Sequence, residues 1–236
     1  MCSSQPGGLP VLDRHQSVAN VVLDHSECAE VFQRHRIDFC CRGQLSVEAA
    51  AQARGLDVDS LVADLTRAIA GRDGAPAEDP RTLSTPWLVA HIVATHHAYL
   101  RRALPFITTL AAKVARVHGD HNPALRELDQ AVAELAAALI PHLDEEEEVL
   151  FPAMMARHAD ARALAPGLEA MTDDHHAVAR LLERIRKAAD DFTLPDWACT
   201  SYRTLFAELQ KLEADTFTHV HLENHVLQPR FSADAR

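Results

Sequence analysis

Lysine is almost missing from this 236-residue chain: only three of its 23 basic residues are lysines, and against 34 acids they leave a formal net charge of −11. A chain this acidic repels phosphate backbones and anionic headgroups, and no basic patch with interleaved aromatics offsets the charge, so nucleic acid and membrane are set aside as partners. No apolar run approaches the about 18 residues a spanning helix needs, and the opening MCSSQPGGLP lacks the charged and apolar regions of a signal peptide. Together these absences predict a cytoplasmic protein. Cysteine is sparse too. Cys2, Cys28, Cys40, Cys41 and Cys199 are odd in number and include an adjacent pair, which argues for reduced thiols over a disulfide framework. HExxH is absent, which disfavours a zinc protease.

What is present is helical. Apolar residues make up 47% and charged residues 24% of the chain, as in ordinary globular proteins. They recur at steps of three and four, with little strand-like alternation, so the fold class is all-α. Short helices are predicted at 26–36, 46–54 and 59–70, with Gly55 and the GRDG at 71–74 as stops. Four longer amphipathic stretches come after them, at 86–116, 123–157, 163–189 and 195–226, and four long helices with short connections read as a bundle. The expected organisation is a disordered tail over 1–10, a short helical Cys-Cys domain over 11–72, a linker over 73–82 and a four-helix bundle over 83–232.

Two stretches share one pattern. PHLDEEEEVLFP (141–152) and HVHLENHVLQP (219–229) both read His, three residues, Glu, two residues, Val-Leu, one residue, Pro. Residues four apart lie one above the other on a helix, so His142 points with Glu146, and His219 with Glu223. Val149, Leu150 and Ala153 are expected close to the first stripe, and Val226 and Leu227 below the second pair. Asp144, Glu147 and Glu148 fall on the far, mostly solvated side. A carboxylate in an apolar seam is costly unless it is paired or coordinates a metal, and two such pairs facing one seam suggest a metal site. The other two long helices each carry His-His-Ala. Leu168, Met171, His175, Val178, Leu182 and Ile185 form one stripe, so His175 faces the core and His176 faces water. On the first long helix periodicity leaves His96 and His97 open. Any one histidine taken alone is an ordinary core or surface residue, and His118, His121, His158, His221 and His225 are read as solvent-facing. The conjunction of four histidine-bearing helices, two with an added glutamate, is close in kind to the inward carboxylate and histidine sets of bundle metalloproteins, and suits iron.

On these residues the bundle resembles a hemerythrin-like di-iron domain. The region before it, with IDFCCRG at 37–43, resembles the N-terminal domain of the bacterial iron-sulfur cluster repair proteins known as repair of iron centres proteins. The resemblance covers about 11–231. It implies the metal ligands His97, His142, Glu146, His175, His219 and Glu223, with the glutamates bridging a non-haem di-iron centre that carries an oxo or hydroxo group. It is the resemblance that selects His97; the spacings, 45 residues from His97 to His142 and 44 from His175 to His219, agree with it. It also implies repair of iron-sulfur clusters damaged by oxidative or nitrosative stress, by supplying iron. The implied partners are damaged iron-sulfur proteins and small molecules such as nitric oxide or oxygen, with a second copy of the chain as a further candidate. Cys40 and Cys41 are candidate thiols for handling iron, nitric oxide or electrons; the plainer reading is two small buried apolar side chains. Alternatives on the same bundle are an oxygen or nitric oxide carrier or sensor, and an enzyme reducing nitric oxide or peroxide. Three positions depart from the family pattern: Gln228 replaces an aromatic in VLQP, Arg42 replaces a glycine in CCRG, and Ser26 stands where proline is frequent. Pro141, directly before His142, is expected to kink its helix.

Overall fold

The computed structural model describes residues 12–72 and 79–231. The expected tail at 1–10, residues 73–78 of the expected linker, and Cys2 lie outside them. Among the described residues no β-strand forms; one isolated bridge joins Ser17 and Ser46. The chain divides into two compact units, Met1–Thr82 and Leu83–Arg236.

In the first unit, α1 (Val18–Asp24), α2 (Cys28–Arg34), α3 (Val47–Ala53) and α4 (Val58–Ala70) are short, and side-chain caps start three of them. Ser17 Oγ accepts from Asn20 N, Ser46 Oγ from Ala49 N and Asp57 Oδ2 from Ser60 N, each satisfying an otherwise orphaned helix donor. Gly55, at φ +67, turns the chain between α3 and α4 in the left-handed region that favours glycine. Val21, Phe32, Phe39, Val47 and Leu65 form the buried centre. Helix α1 is absent from the expectation, because its buried face of Val18, Ala19, Val21 and Val22 spans less than two turns.

In the second unit, α5 (Thr85–Ile92) continues through a π-helical turn, Val93–His97, into α6 (Ala98–His118). Helix α7 (Ala124–Glu145) continues through the π turn Glu146–Leu150 into α8 (Phe151–Met154). Then come α9 (Ala161–Ala188) and α10 (Thr200–Leu222), which runs on through the π turn Glu223–Leu227. Packing of α7 against α6 and α9, and of α10 against α6, makes the bundle. Its core of Leu104, Ile107, Leu135, Leu139, Leu182, Leu205 and Leu209 fills one end and the middle. Pro141 sits on the exposed face of α7, inside a helix that runs on past it. Three left-handed residues, Asp190, Asp191 and Phe192, stop α9; burial of the Phe192 ring under the Arg186 guanidinium, 4.8 Å from its centroid, holds them. Among the described residues, no helix is long and apolar enough to cross a membrane.

Candidate metal centre

Three of the four long helical runs of the bundle widen into a π turn where a polar residue enters the core. His97 ends the turn Val93–His97, Glu146 begins Glu146–Leu150, and Glu223 begins Glu223–Leu227. Such a turn inserts one residue, so the side chains beyond it are rotated by about 100° from their places on a regular helix. This resolves the first long helix: His97 is 1% exposed and points to the core, while His96 turns to Asp215, its Nδ1 2.9 Å from Oδ1. The same rotation corrects the stripe below Glu146, where Leu150 is buried as expected but Val149 is 53% exposed and Ala153 is also outward, with Phe151 and Met154 buried in their place. Helix α9 has no such turn, and His175 stands in its regular stripe.

The six side chains meet as two interlocked groups: His97, His219, Glu146 and Glu223 on one side, His142, His175, Glu146 and Glu223 on the other. Both glutamates straddle. Glu146 Oε2 lies 3.5 Å from His97 Nε2, and its Oε1 lies 3.3 Å from His142 Nε2 and 4.0 Å from His175 Nε2. Glu223 Oε1 lies 2.9 Å from His219 Nε2 and 3.7 Å from His97 Nε2, while its Oε2 lies 3.2 Å from His175 Nε2. The His97 and His219 Nε2 atoms approach to 3.1 Å.

This convergence is electrostatically costly without cations. Neither Glu146 oxygen nor His142 Nε2 has a hydrogen-bond partner, although all are buried. Burial, and then the charge of Glu223, push the Glu146 carboxyl well above its usual range. Burial acts the same way on Glu223, but His219 first, and then the facing imidazoles of His175 and His97, outweigh it and hold that carboxyl well below. Burial and the neighbouring His175 push His142 down to about 4, keeping its imidazole neutral. Neutral imidazoles and shared carboxylates are what a cation of intermediate softness binds, so the residues fit a metal, and each half has donors for one ion.

The outward nitrogens set the inward ones. His97 Nδ1 donates to Glu147 Oε1 at 2.9 Å, His142 Nδ1 to Asp174 Oδ2 at 3.2 Å, and His175 Nδ1 meets Asn224 Oδ1 at 2.9 Å. Since a carboxylate only accepts, His97 and His142 carry their protons on Nδ1 and turn Nε2 lone pairs inward. Glu147 is in turn gripped by Arg101, which also reaches Asp144. Glu147 is therefore no solvated acid, contrary to the helical-wheel expectation, and Asp174, Asn224 and Arg101 join the site unforeseen. The only sequence signal is adjacency: three of these four stand next to a site residue. His221 is a further correction. It is 2% exposed, because the last turn of α10 is buried all round. Gln228 donates its Nε2 to Thr172 Oγ1 at 3.1 Å, an amide contact at the position where the first copy has Phe151 stacked on His97. Cys40 (buried) and Cys41 (half-buried) belong to the other unit, beside Asp38.

Residues 88–231 match the family described as the hemerythrin HHE cation binding domain, and residues 14–69 match a domain of unknown function, DUF542. The chain is 30% identical over 225 residues to the iron-sulfur cluster repair protein ScdA of Staphylococcus epidermidis, covering 94% of this chain and all of the relative. It is 31% identical over 217 residues to the iron-sulfur cluster repair protein YtfE of Yersinia pseudotuberculosis, covering 92% of this chain and 96% of the relative. With both domains in this order and near-complete coverage of such relatives, the chain belongs to the family of iron-sulfur cluster repair proteins that carry a hemerythrin-like metal-binding domain.

Proposed function

We propose that the two halves of the donor set hold two non-haem irons, and that the protein serves the repair of damaged iron-sulfur clusters by supplying iron. The observation that carries this reading is the straddling of both glutamates: each turns one oxygen toward the His97 and His219 half and the other toward the His142 and His175 half. Bound there, iron supplies an exchangeable, redox-active centre able to take up small molecules such as nitric oxide or oxygen. The chain's own part is positional. Four imidazoles and two shared carboxylates give each position four protein donors, fewer than an octahedral ion takes, so no ion is caged completely. The hydrogen bonds that His97 and His142 donate to Glu147 and Asp174 hold the imidazoles ready with lone pairs inward. The relatives' names support cluster repair as the use; the partners of this reading are damaged iron-sulfur proteins, met in the cytoplasm.

The test is metal analysis of anaerobically purified protein. Two irons per chain are expected, with His142→Ala folding normally but holding fewer. Full loading of that variant, or a colourless zinc protein unable to restore an iron-sulfur enzyme after iron reconstitution, overturns the reading.

A further inference from the structure

The unit Met1–Thr82 contains a second convergence of donor atoms, built by a different device. Helix α2 ends at Arg34, and the chain reverses through Arg36 in the left-handed region at φ 57. Ile37 and Phe39 then enter the core, which leaves Asp38 between them facing outward at half exposure. Asp38 Oδ1 accepts from the backbone N of Cys40 at 3.0 Å and of Cys41 at 2.8 Å, folding the loop onto its carboxylate. The loop is also tied to the start of α1, where Ala19 N donates to Gly43 O at 3.0 Å and Val18 N to Leu45 O at 2.9 Å. As a result Cys40 Sγ lies 3.2 Å from Asp38 Oδ1 and 3.7 Å from Cys41 Sγ.

These separations can be compared with coordination geometry. Thiolate sulfurs at about 2.3 Å and a carboxylate oxygen at about 2.0–2.2 Å from a tetrahedral ion stand about 3.8 Å (S to S) and about 3.5–3.7 Å (O to S) apart. The sulfur pair matches within about 0.1 Å, and the oxygen to sulfur approach needs a modest opening. A disulfide, at about 2.0 Å, does not fit the observed pair, and the side chains of adjacent cysteines diverge. We propose that Asp38, Cys40 and Cys41 form a second metal site, for one thiophilic divalent ion such as zinc or ferrous iron, with the fourth position open to solvent.

The placement explains the open position. Cys40 is 2% exposed, whereas Cys41 and Asp38 are partly exposed, so an ion bound to all three sits at the rim of the unit. Sites closed by four protein ligands are structural, whereas three ligands and a vacancy allow exchange or reaction. Binding exchanges two S–H bonds for two metal–thiolate bonds and releases two protons, with no change of oxidation state. Burial, then the hydrogen bond to Cys41 and the charge of Asp38, keep the Cys40 proton on until a cation displaces it, so uptake strengthens as pH rises. The assignment is independent of iron in the bundle.

Cobalt(II) titration of the full-length reduced protein tests it, because only a thiolate ligand gives the near-ultraviolet sulfur-to-cobalt charge-transfer band, and the six donors of the bundle centre offer nitrogen and oxygen alone. The band should reach the intensity of one thiolate-bound cobalt per chain in the unaltered protein. Cys40→Ser with Cys41→Ser should abolish it while cobalt still binds the bundle. Asp38→Asn keeps an oxygen for the backbone N–H groups but loses the charge, and should weaken binding at least about tenfold. A band that is absent, that survives the double serine variant, or that is unmoved in affinity by Asp38→Asn overturns the proposal. Should the double variant misfold, zinc must still slow alkylation of Cys41 in the unaltered protein, and lack of protection overturns the site equally.

Discussion

Glu146→Gln separates a metal ligand from a packing residue, because it should move the stability of the empty and the loaded protein in opposite directions. In the loaded protein the glutamate serves both positions, its Oε2 facing His97 and its Oε1 facing His142. Losing the anionic donor should cost each ion at least the about ten- to hundredfold known for outer partners, or about 1.4–2.7 kcal/mol of binding per position. In the empty protein the same carboxyl is 1% exposed, has no hydrogen-bond partner on either oxygen, and faces Glu223. Relieving a buried unsatisfied group is worth about 1–3 kcal/mol, which raises the melting temperature by about 2–12 °C at about 2–4 °C per kcal/mol for a chain of this size. The pH dependence has a definite sign. Since burial and Glu223 raise the Glu146 carboxyl above its ordinary 4.5, the folded state holds that proton more tightly than the unfolded chain does. Its contribution is fully present below about 4.5 and is lost as pH rises, so the empty variant gains most on the empty parent near neutrality. Thermal melts by circular dichroism, with and without anaerobic ferrous iron at mildly acidic and neutral pH, read both effects. If the substitution lowers the melting temperature of both forms, or leaves metal stabilisation intact, Glu146 is an ordinary core residue and no ligand.

His97→Ala should strip iron from the protein whereas His96→Ala should retain it, because only His97 turns Nε2 toward Glu146 and Glu223; equal iron loss by metal analysis contradicts this. Glu147→Gln and Asp174→Asn should both speed iron release to a chelator, with Glu147→Gln having the larger effect in stopped-flow traces. A fragment spanning Leu83–Arg236 should fold and bind iron alone, since it carries all six donors and its own core; aggregation, or no uptake on reconstitution, shows one folding unit instead.

The parts of the site that lie on regular helix are legible in the sequence. His142 with Glu146, and His219 with Glu223, pair by the four-residue step because each pair ends at or before the start of its π turn. His175 can be placed because α9 keeps one apolar stripe through Leu168, Met171, Val178 and Leu182. Where the helix widens, a count of 3.6 residues per turn loses its phase. Periodicity then does not choose between His96 and His97 after Val93, puts Val149 inside, and sends Glu147 to solvent. Nothing in VATHH, EEEVL or ENHVL announces the extra residue, since the widening is a tertiary compromise that aims a polar side chain into the core. The short helices of the first unit are partly legible through their Ser and Asp caps; α1 has such a cap in Ser17 and a buried face of Val18, Ala19, Val21 and Val22, but at seven residues its pattern is too short to stand out.

The two halves of the centre are held unequally, and this is why Glu147 should matter more than Asp174. Glu147 is mostly buried, at 29% exposure of its side chain, and Arg101 donates to the same carboxylate oxygen, Oε1, that His97 meets, while also holding Asp144. A hydrogen bond made to a charge already fixed in a partly buried pocket loses little to motion or screening. Asp174 is 58% exposed at the side chain, meets His142 at the longer distance of 3.2 Å, and competes with water at every moment. The remaining histidine of that half, His175, meets the neutral amide of Asn224, which polarises an imidazole less than a carboxylate does. On the His142 and His175 side both outward nitrogens are held, but by an exposed carboxylate and a neutral amide, whereas on the other side the support runs through His97 alone, since His219 Nδ1 has no partner among the described residues. Under the proposed two-iron reading, release should begin at the exposed Asp174 side, while His97, held through Glu147 and Arg101, would keep its ion and both glutamates in place for reloading.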